Sequence, residues 1–149
     1  MGNLNERLKV LEGTKSYQQS RNIFRNGKFY PYKDSEGFLT VGYGHLILQG
    51  ESFTNGITEA EADVLLEKDI QKARANLKVL QLSIPDDWTD FMIIMIFQLG
   101  LAGTMKFKKM IAALKVHDYP EAIKQAKDSL WYKQTPNRLN SMIAVLINK

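Results

Sequence analysis

The sequence predicts an α+β protein with a small antiparallel β-rich lobe and a larger all-helical lobe, joined by a long helix. Three observations predict it. Residues 22–47 alternate large apolar with small or polar residues and contain Asn26-Gly27, the pattern of extended strands around a tight hairpin. Residues 58–80 place Ala62, Leu65, Leu66, Ala73 and Leu77 roughly on one stripe, and a helix of that length spans about 30 Å. Everything after Pro85 has helical character.

The first element is a helix over "NLNERLKVLE". Asn3 and Glu6 make a capping box, Leu4, Leu8 and Leu11 share a face, and Gly13 supplies the stop. Glu12 falls in the last turn, where the negative end of the helix dipole raises the cost of its charge. Most carboxylates so placed are merely solvent-exposed, so position alone does not make it catalytic. In "NIFRNGKFYPY" the Asn-Gly pair turns one hairpin. "YKDSEGFLTVGYGH" forms another, with Asp34, Ser35, Glu36 and Gly37 near its turn. One small antiparallel sheet of three or more strands is expected. Beyond the loop "QGESFTNG", Thr58 and Glu61 form a second capping box and open the long helix. Pro85 opens a helix carrying "DFMIIMIFQLG", apolar on almost every side and therefore the buried centre of the helical lobe. Its methionines read as packing. Shorter helices are expected near 106–116 and 119–130, and a last one over 137–147. The result is a single domain: a β-rich lobe over about 14–57, a connecting helix over 58–80, and a helical lobe over 81–149 with helix 3–12 packing near it.

Composition narrows the functional classes. Apolar residues at 44% and charged residues at 24% are the balance of an ordinary globular protein. With no cysteine, disulfides and thiolate chemistry are excluded. The N-terminus lacks a basic region followed by an apolar run, so no signal peptide is visible. Glu6 stands where N-myristoylation wants Ser or Thr. The run "FMIIMIF" is too short to span a bilayer. A net charge of +4 favours polyanionic partners such as nucleic acid, an anionic lipid surface or an acidic wall polymer, without choosing among them.

Metal chemistry finds little support, because His45 and His117 are the sole histidines and no HExxH pattern exists. No G-x-S-x-G elbow, P-loop or dinucleotide fingerprint appears. Acid–base chemistry by carboxylates remains, with no cofactor and no metal.

Glu12-Gly13, "YKDSEGFLTVGYGHL" at 32–46, "FQLG" at 97–100 and "WYKQTPNR" at 131–138 follow one another as in phage-type lysozymes. From about residue 4 onward the chain resembles the T-even phage lysozyme family of endolysins and muramidases. The resemblance implies a lysozyme-like fold with its active cleft between the lobes. It implies hydrolysis of the β-1,4 bond between N-acetylmuramic acid and N-acetylglucosamine in bacterial peptidoglycan. By the same resemblance Glu12 is the general acid, Asp34 the second carboxylate, and Thr40 the residue that holds the attacking water. Leu46 and Phe97 match positions lining the saccharide cleft, although Phe97 reads equally well as core. Arg138 matches an arginine that pairs with the catalytic glutamate, and His45 with Asp69 matches a structural ion pair. Trp131 and Tyr132 read as packing.

The chemistry accounts for these residue types. Glycosidic cleavage needs one carboxyl protonated, to donate to the leaving oxygen, and another ionised. The family's inverting course implies carboxyls roughly 6.5–9.5 Å apart. The basic surface suits peptidoglycan as the partner, and neither nucleic acid, membrane insertion nor oligomerisation is implied: a monomer is expected. The expected setting is the host cytoplasm before release to the wall, or a virion.

Two departures stand out. Residues 13–33 separate Glu12 from Asp34, and the excess is "KSYQQSRNIFRNGKF", an extra hairpin segment between the two catalytic carboxylates. A hairpin returns its ends close together, so such an insertion can leave both carboxylates in place. Met110 and Gln125 replace smaller polar residues at other sugar-binding positions. Three alternatives stand beside this reading: a catalytically silent lysozyme-fold wall-binding or structural protein, a lytic transglycosylase, and a nucleic-acid-binding domain. The last would want clustered basic residues with exposed aromatics.

Overall fold

The computed structural model describes residues 3–34 and 37–149. Two compact units divide between Gln71 and Lys72. In the first, helix α1 (Leu4–Glu12) starts because Asn3 Oδ1 accepts the Glu6 N–H at 2.8 Å. It ends because Gly13, at φ 118°, turns the chain while its N–H still reaches Lys9 O at 2.9 Å. Leu4 and Leu8 form its buried face.

Helix α2 (Lys15–Ser20) follows at once, capped by Thr14 Oγ1, which accepts the Tyr17 N–H at 3.1 Å. The segment from residue 14, expected in a β-rich lobe, thus begins as a helix. "KSYQQS" lacks an apolar stripe, so its helix rests on the cap and on one buried polar residue, Gln18.

The strands form two sheets rather than the single one expected. Strands β1 (Phe24–Arg25), β2 (Lys28–Phe29) and β6 (Ile57–Thr58) lie in the order β1-β2-β6. Asn26 at φ 53° and Gly27 at φ 76° make the two-residue turn between β1 and β2, both left-handed as a type I′ hairpin requires. Strands β3 (Tyr32–Lys33), β4 (Leu39–Val41) and β5 (His45–Leu46) make the second antiparallel sheet. Pro31 falls between β2 and β3, where its missing N–H interrupts the ladder. The second hairpin is present, with Lys33 opposite Leu39; Ser35 and Glu36 of its expected turn lie outside the described residues.

Phe29 is fully buried and packs on Phe24 at 4.6 Å and edge-on to Tyr43 at 5.1 Å between ring centroids. Burying such a ring is worth about 1.5–3 kcal/mol. Val41, Ile57 and, from the next helix, Ala62, Leu66 and Ile70 are buried in the same unit. That helix, α3 (Glu59–Val79), opens with a reciprocal capping box. The Thr58 N–H donates to Glu61 Oε1 at 2.9 Å and the Glu61 N–H to Thr58 Oγ1 at 3.2 Å. It runs from the first unit into the second.

The second unit is helical. In α4 (Asp86–Met105), Asp86 and Asp87 occupy the first turn, where the dipole favours negative charge. Trp88 and residues 91–96 are buried. By length and composition α4 could cross a membrane, but burial of this apolar run inside the protein marks a core helix. Gly100, at φ 75° and ψ 169°, breaks the helical path inside it. Then come α5 (Lys108–Lys115), α6 (Tyr119–Lys127), α7 (Leu130–Gln134) and α8 (Pro136–Ala144). The expected helix 119–130 thus stops at Lys127. Ser129 Oγ then accepts the Tyr132 N–H at 3.1 Å and caps the separate α7. The last helix ends three residues earlier than 147, at Ala144.

The C-terminal tail is tied to the start of α4. Asp87 Oδ2 accepts the N–H groups of Ile147 and Asn148 at 2.9 and 2.8 Å, and Trp88 Nε1 donates to Asn148 O at 2.8 Å. Burial pushes the Asp87 carboxyl up, but hydrogen bonds from Asn148, Ile147 and Trp88 outweigh it and hold its pKa below the usual range.

Candidate active site

Glu12 is the last residue of α1 and is half-buried. Its side chain is walled by the turn between β4 and β5. A methyl group at Gly44 would sit 2.9 Å from Glu12 Cγ, Cδ and Oε2, and Gly44 has φ +80°. Glycine there serves two ends: it adopts a left-handed turn and lets the backbone approach the carboxyl. The second glycine of "GYGH" therefore stands against Glu12, a place that the sequence reading did not single out.

Gln18 is a second residue missed. It is 1% exposed, and its Nε2 donates to Gly13 O at 2.8 Å and to Gly42 O at 2.9 Å. Its Oε1 is buried with no hydrogen-bond partner among the described residues, at a cost of about 1–3 kcal/mol. No local signal reveals such a residue, because both acceptors are backbone carbonyls set by the fold.

The β3–β4–β5 register places the other groups. Tyr32 pairs with Thr40, and Thr40 with Leu46. The Asp34 N–H donates to Phe38 O at 2.9 Å, and Asp34 Oδ1 accepts the Phe38 N–H at 2.9 Å. Alternation then puts Tyr32, Asp34, Thr40 and Leu46 on one face of the sheet. Thr40 is 4% exposed, its Oγ1 donating to Phe38 O at 3.0 Å. That bond fixes the hydroxyl's rotamer and leaves its lone pairs to accept a hydrogen bond from water. Leu46 is exposed.

Tyr32 reports what surrounds this face. Its phenol is pushed up to about 12, by burial first and then by the charges of Glu12, Asp34 and Tyr17. The structure thus brings both carboxylates of the sequence reading to the surroundings of one protonated phenol, which sequence reading had passed over. The signal available was its place two residues before Asp34 on an alternating strand.

His45 secures the sheet. Its Nδ1 lies 2.8 Å from Asp69 Oδ2 on α3, and its Nε2 lies 3.1 Å from Glu51 Oε1. The Asp69 hydrogen bond, against the opposing effect of burial and with further help from Glu51, holds the imidazole pKa above its ordinary value. Glu51 also accepts the Leu48 N–H at 2.7 Å; sequence reading did not single it out.

In the second unit, Phe97 is half-buried on α4. Next to it, Gln98 Oε1 accepts from Trp131 Nε1 at 2.9 Å and from Arg138 Nη1 at 2.8 Å. The "FQLG" and "WYKQTPNR" segments are joined through that one oxygen. Trp131 is buried, edge-on to Phe91 at 6.3 Å and to Phe107 at 6.0 Å, a packing role. Tyr132 is half-buried and donates to Asn140 Oδ1 at 2.9 Å. An open groove of about 410 Å³ is lined by Phe107, Met110, Gln125 and Asp128 with Lys106 and Lys109 beside them. No cluster of three or more metal-ligating side chains occurs among the described residues.

The arrangement can run proton transfer between carboxylates, a hydroxyl and water. Comparison with known proteins agrees with that chemistry. The phage lysozyme family model matches residues 24–144, from the start of β1 to the end of α8, with Glu12 preceding the matched span. Probable T4-type lysozyme 1 of Dictyostelium discoideum is 29% identical over 146 residues, covering 80% of this chain and 86% of its own. The pre-baseplate central spike protein Gp5 of Enterobacteria phage T4 is 29% identical over 78% of this chain, a match spanning 25% of the spike protein. The SAR-endolysin of Bacteriophage PS119 is 31% identical over 67% of this chain and 59% of its own length. A family match over most of the chain, on this α+β architecture, shows that the chain belongs to the phage lysozyme family and is a glycoside hydrolase of the lysozyme type.

Proposed function

We propose that this lysozyme hydrolyses the β-1,4 bond between N-acetylmuramic acid and N-acetylglucosamine in bacterial peptidoglycan, with inversion. Glu12, protonated, donates to the leaving glycosidic oxygen. Asp34, ionised, takes a proton from a water held by the Thr40 hydroxyl, and the water oxygen bonds to the anomeric carbon. The leaving sugar departs as an alcohol and the other fragment as a hemiacetal, its new reducing end, and the proton taken by Asp34 replaces the one lost by Glu12 through solvent. The observation that carries this reading is geometric: the β3–β4–β5 register sets Asp34 and Thr40 on one face of the sheet, and Gly44, in the β4–β5 turn of that sheet, closes on the Glu12 carboxyl. Leu46, exposed beside Thr40 in the register, offers apolar surface to a sugar ring. Phe97 and the groove beside Met110 and Gln125 give the second unit surface for saccharide, and the groove's lysines suit an acidic polymer.

Relatives named as an endolysin and as a central spike protein support a phage setting, in lysis or in wall penetration. The test is clearing of purified peptidoglycan by wild type, Glu12→Gln and Asp34→Asn, with mass spectrometry of the products. New reducing N-acetylmuramic ends that both variants fail to make support the assignment. 1,6-Anhydro ends make the enzyme a transglycosylase, and full activity in Glu12→Gln removes Glu12 as the acid. The anomer first formed, read by NMR, decides between inversion and retention.

A further inference from the structure

We propose that Gln18 is the positioning residue for Glu12, clamping the peptide that carries the acid to the turn that walls it. The proposal rests on the reading of Glu12 as general acid and goes on to say what holds it. Gln18 belongs to α2, inside the segment that separates the two carboxylates in sequence. One nitrogen makes both contacts, to the carbonyl of Gly13, next in chain to Glu12, and to the carbonyl of Gly42, which opens the turn containing Gly44. Gly44 in turn stands against the Glu12 carboxyl. The amide thus joins the two backbone segments between which Glu12 is held.

The chemistry of the clamp is selective. Two carbonyl oxygens facing one buried atom require two protons on it, and a neutral side chain of this length provides them only as a primary amide. A carboxylate has no proton to give, a hydroxyl has one, and an ammonium would bring a charge into a site 1% exposed. The rest of α2 is arranged to deliver this group. Thr14 caps the helix directly after Gly13, and Tyr17 packs over Gly13, with Cδ2 3.4 Å from where a Cβ would be. The helix carries no apolar stripe that would explain its presence otherwise.

A general acid displaced by about 1 Å loses on the order of 100-fold in rate without losing substrate. The test compares wild type with Gln18→Met, which keeps the side-chain length and removes both donors, and with Gln18→Glu, which keeps the shape. Leu66→Ala, in the core of the same unit, controls for lost stability. Kinetics use soluble peptidoglycan fragments, with Tm measured alongside. Both Gln18 variants should lose about 10- to 100-fold in kcat with KM within about twofold, while Leu66→Ala at a matched Tm keeps kcat. In wild type, the Gln18 side-chain amide protons should exchange as slowly as neighbouring buried backbone amides by NMR, a readout that needs no variant to fold. Exchange as fast as that of a surface glutamine overturns the proposal. So does a kcat in either Gln18 variant no lower than in the Leu66→Ala control. A folded wild type that cleaves no glycan overturns the catalytic reading and this proposal with it, whereas an active wild type with indifferent Gln18 variants overturns this proposal alone.

Discussion

Replacing Gly44 by alanine separates two effects that glycine serves at once. The first is backbone strain: at φ +80° a side chain costs about 1 kcal/mol relative to glycine. For a chain of this size that lowers Tm by about 2–4 °C. The second is contact. The added methyl would lie 2.9 Å from three atoms of Glu12, against an ordinary carbon–carbon separation of about 3.5–4.0 Å. The Glu12 side chain is the more flexible partner, so it yields by roughly 0.5–1 Å, and misplacement on that scale costs a catalytic group up to about 100-fold. Gly50→Ala is the matched control. Gly50 has φ +90° with nothing within 4 Å of its Cβ position, so it incurs the strain without the contact. Turbidity clearing of peptidoglycan and thermal melts on the same preparations give both readouts. Gly44→Ala should lose about 10- to 100-fold in activity, with a melting loss like that of Gly50→Ala, which keeps its activity. Equal activities for the two variants would show that the approach of Gly44 to Glu12 is catalytically irrelevant.

Three further outcomes follow from charge and hydrogen bonding. The raised pKa of His45 means the native state holds a proton that the unfolded chain releases. Its stabilisation is therefore complete below about pH 6.5 and is lost as pH rises through the native value. Tm should fall across that window in wild type and show less of this slope in His45→Asn; identical slopes would refute it. For Asp87 the sign is opposite. The depressed carboxyl stabilises above about pH 3.8, and that contribution disappears as pH drops through the lower native value. Asp87→Ala should cost about 2 kcal/mol at neutral pH by freeing the 147–148 N–H groups, seen as a loss of about 4–8 °C in Tm. Gln98→Leu should cost about 1–3 kcal/mol and shift the Trp131 indole N–H resonance, since Trp131 and Arg138 share the Gln98 oxygen. An unmoved indole signal would sink that assignment.

What could be read in advance was whatever the chain encodes locally. Asn3, the Thr58–Glu61 pair and Asn26-Gly27 act on residues within four positions of themselves, and each forms the cap or turn its chemistry implies. The buried run of α4 is legible because nothing in it is polar enough to face water. Non-local pairings were not legible. Strand β6 is two residues long and exists because Lys28 and Phe29 pair with Thr58 and Ile57 from far along the chain. Helix α2 has no periodic apolar pattern for a sequence reading to find. The single expected sheet became two at Pro31, whose effect on a ladder depends on which neighbours the strand has.

The site follows the same division. Types such as Glu12, Asp34 and Thr40 came from motif resemblance, but the groups that hold or surround them are defined only by distant partners. Of the buried polar or charged residues among those described, Gln18, Thr40 and His45 belong to the first unit and Thr104 to the second. Each of the first three is committed to a partner: Gln18 to Gly13 and Gly42, Thr40 to Phe38, His45 to Asp69 and Glu51. Polar burial is costly unless matched, and a unit built for stability alone would fill such positions with apolar side chains. Thr104, by contrast, bonds Gly100 O across the break in α4 at 2.8 Å, a structural repair within its own helix. Gln18, with one oxygen left unmatched, is the exception whose cost most needs a functional return, and the proposed clamp on the Glu12 segment supplies one.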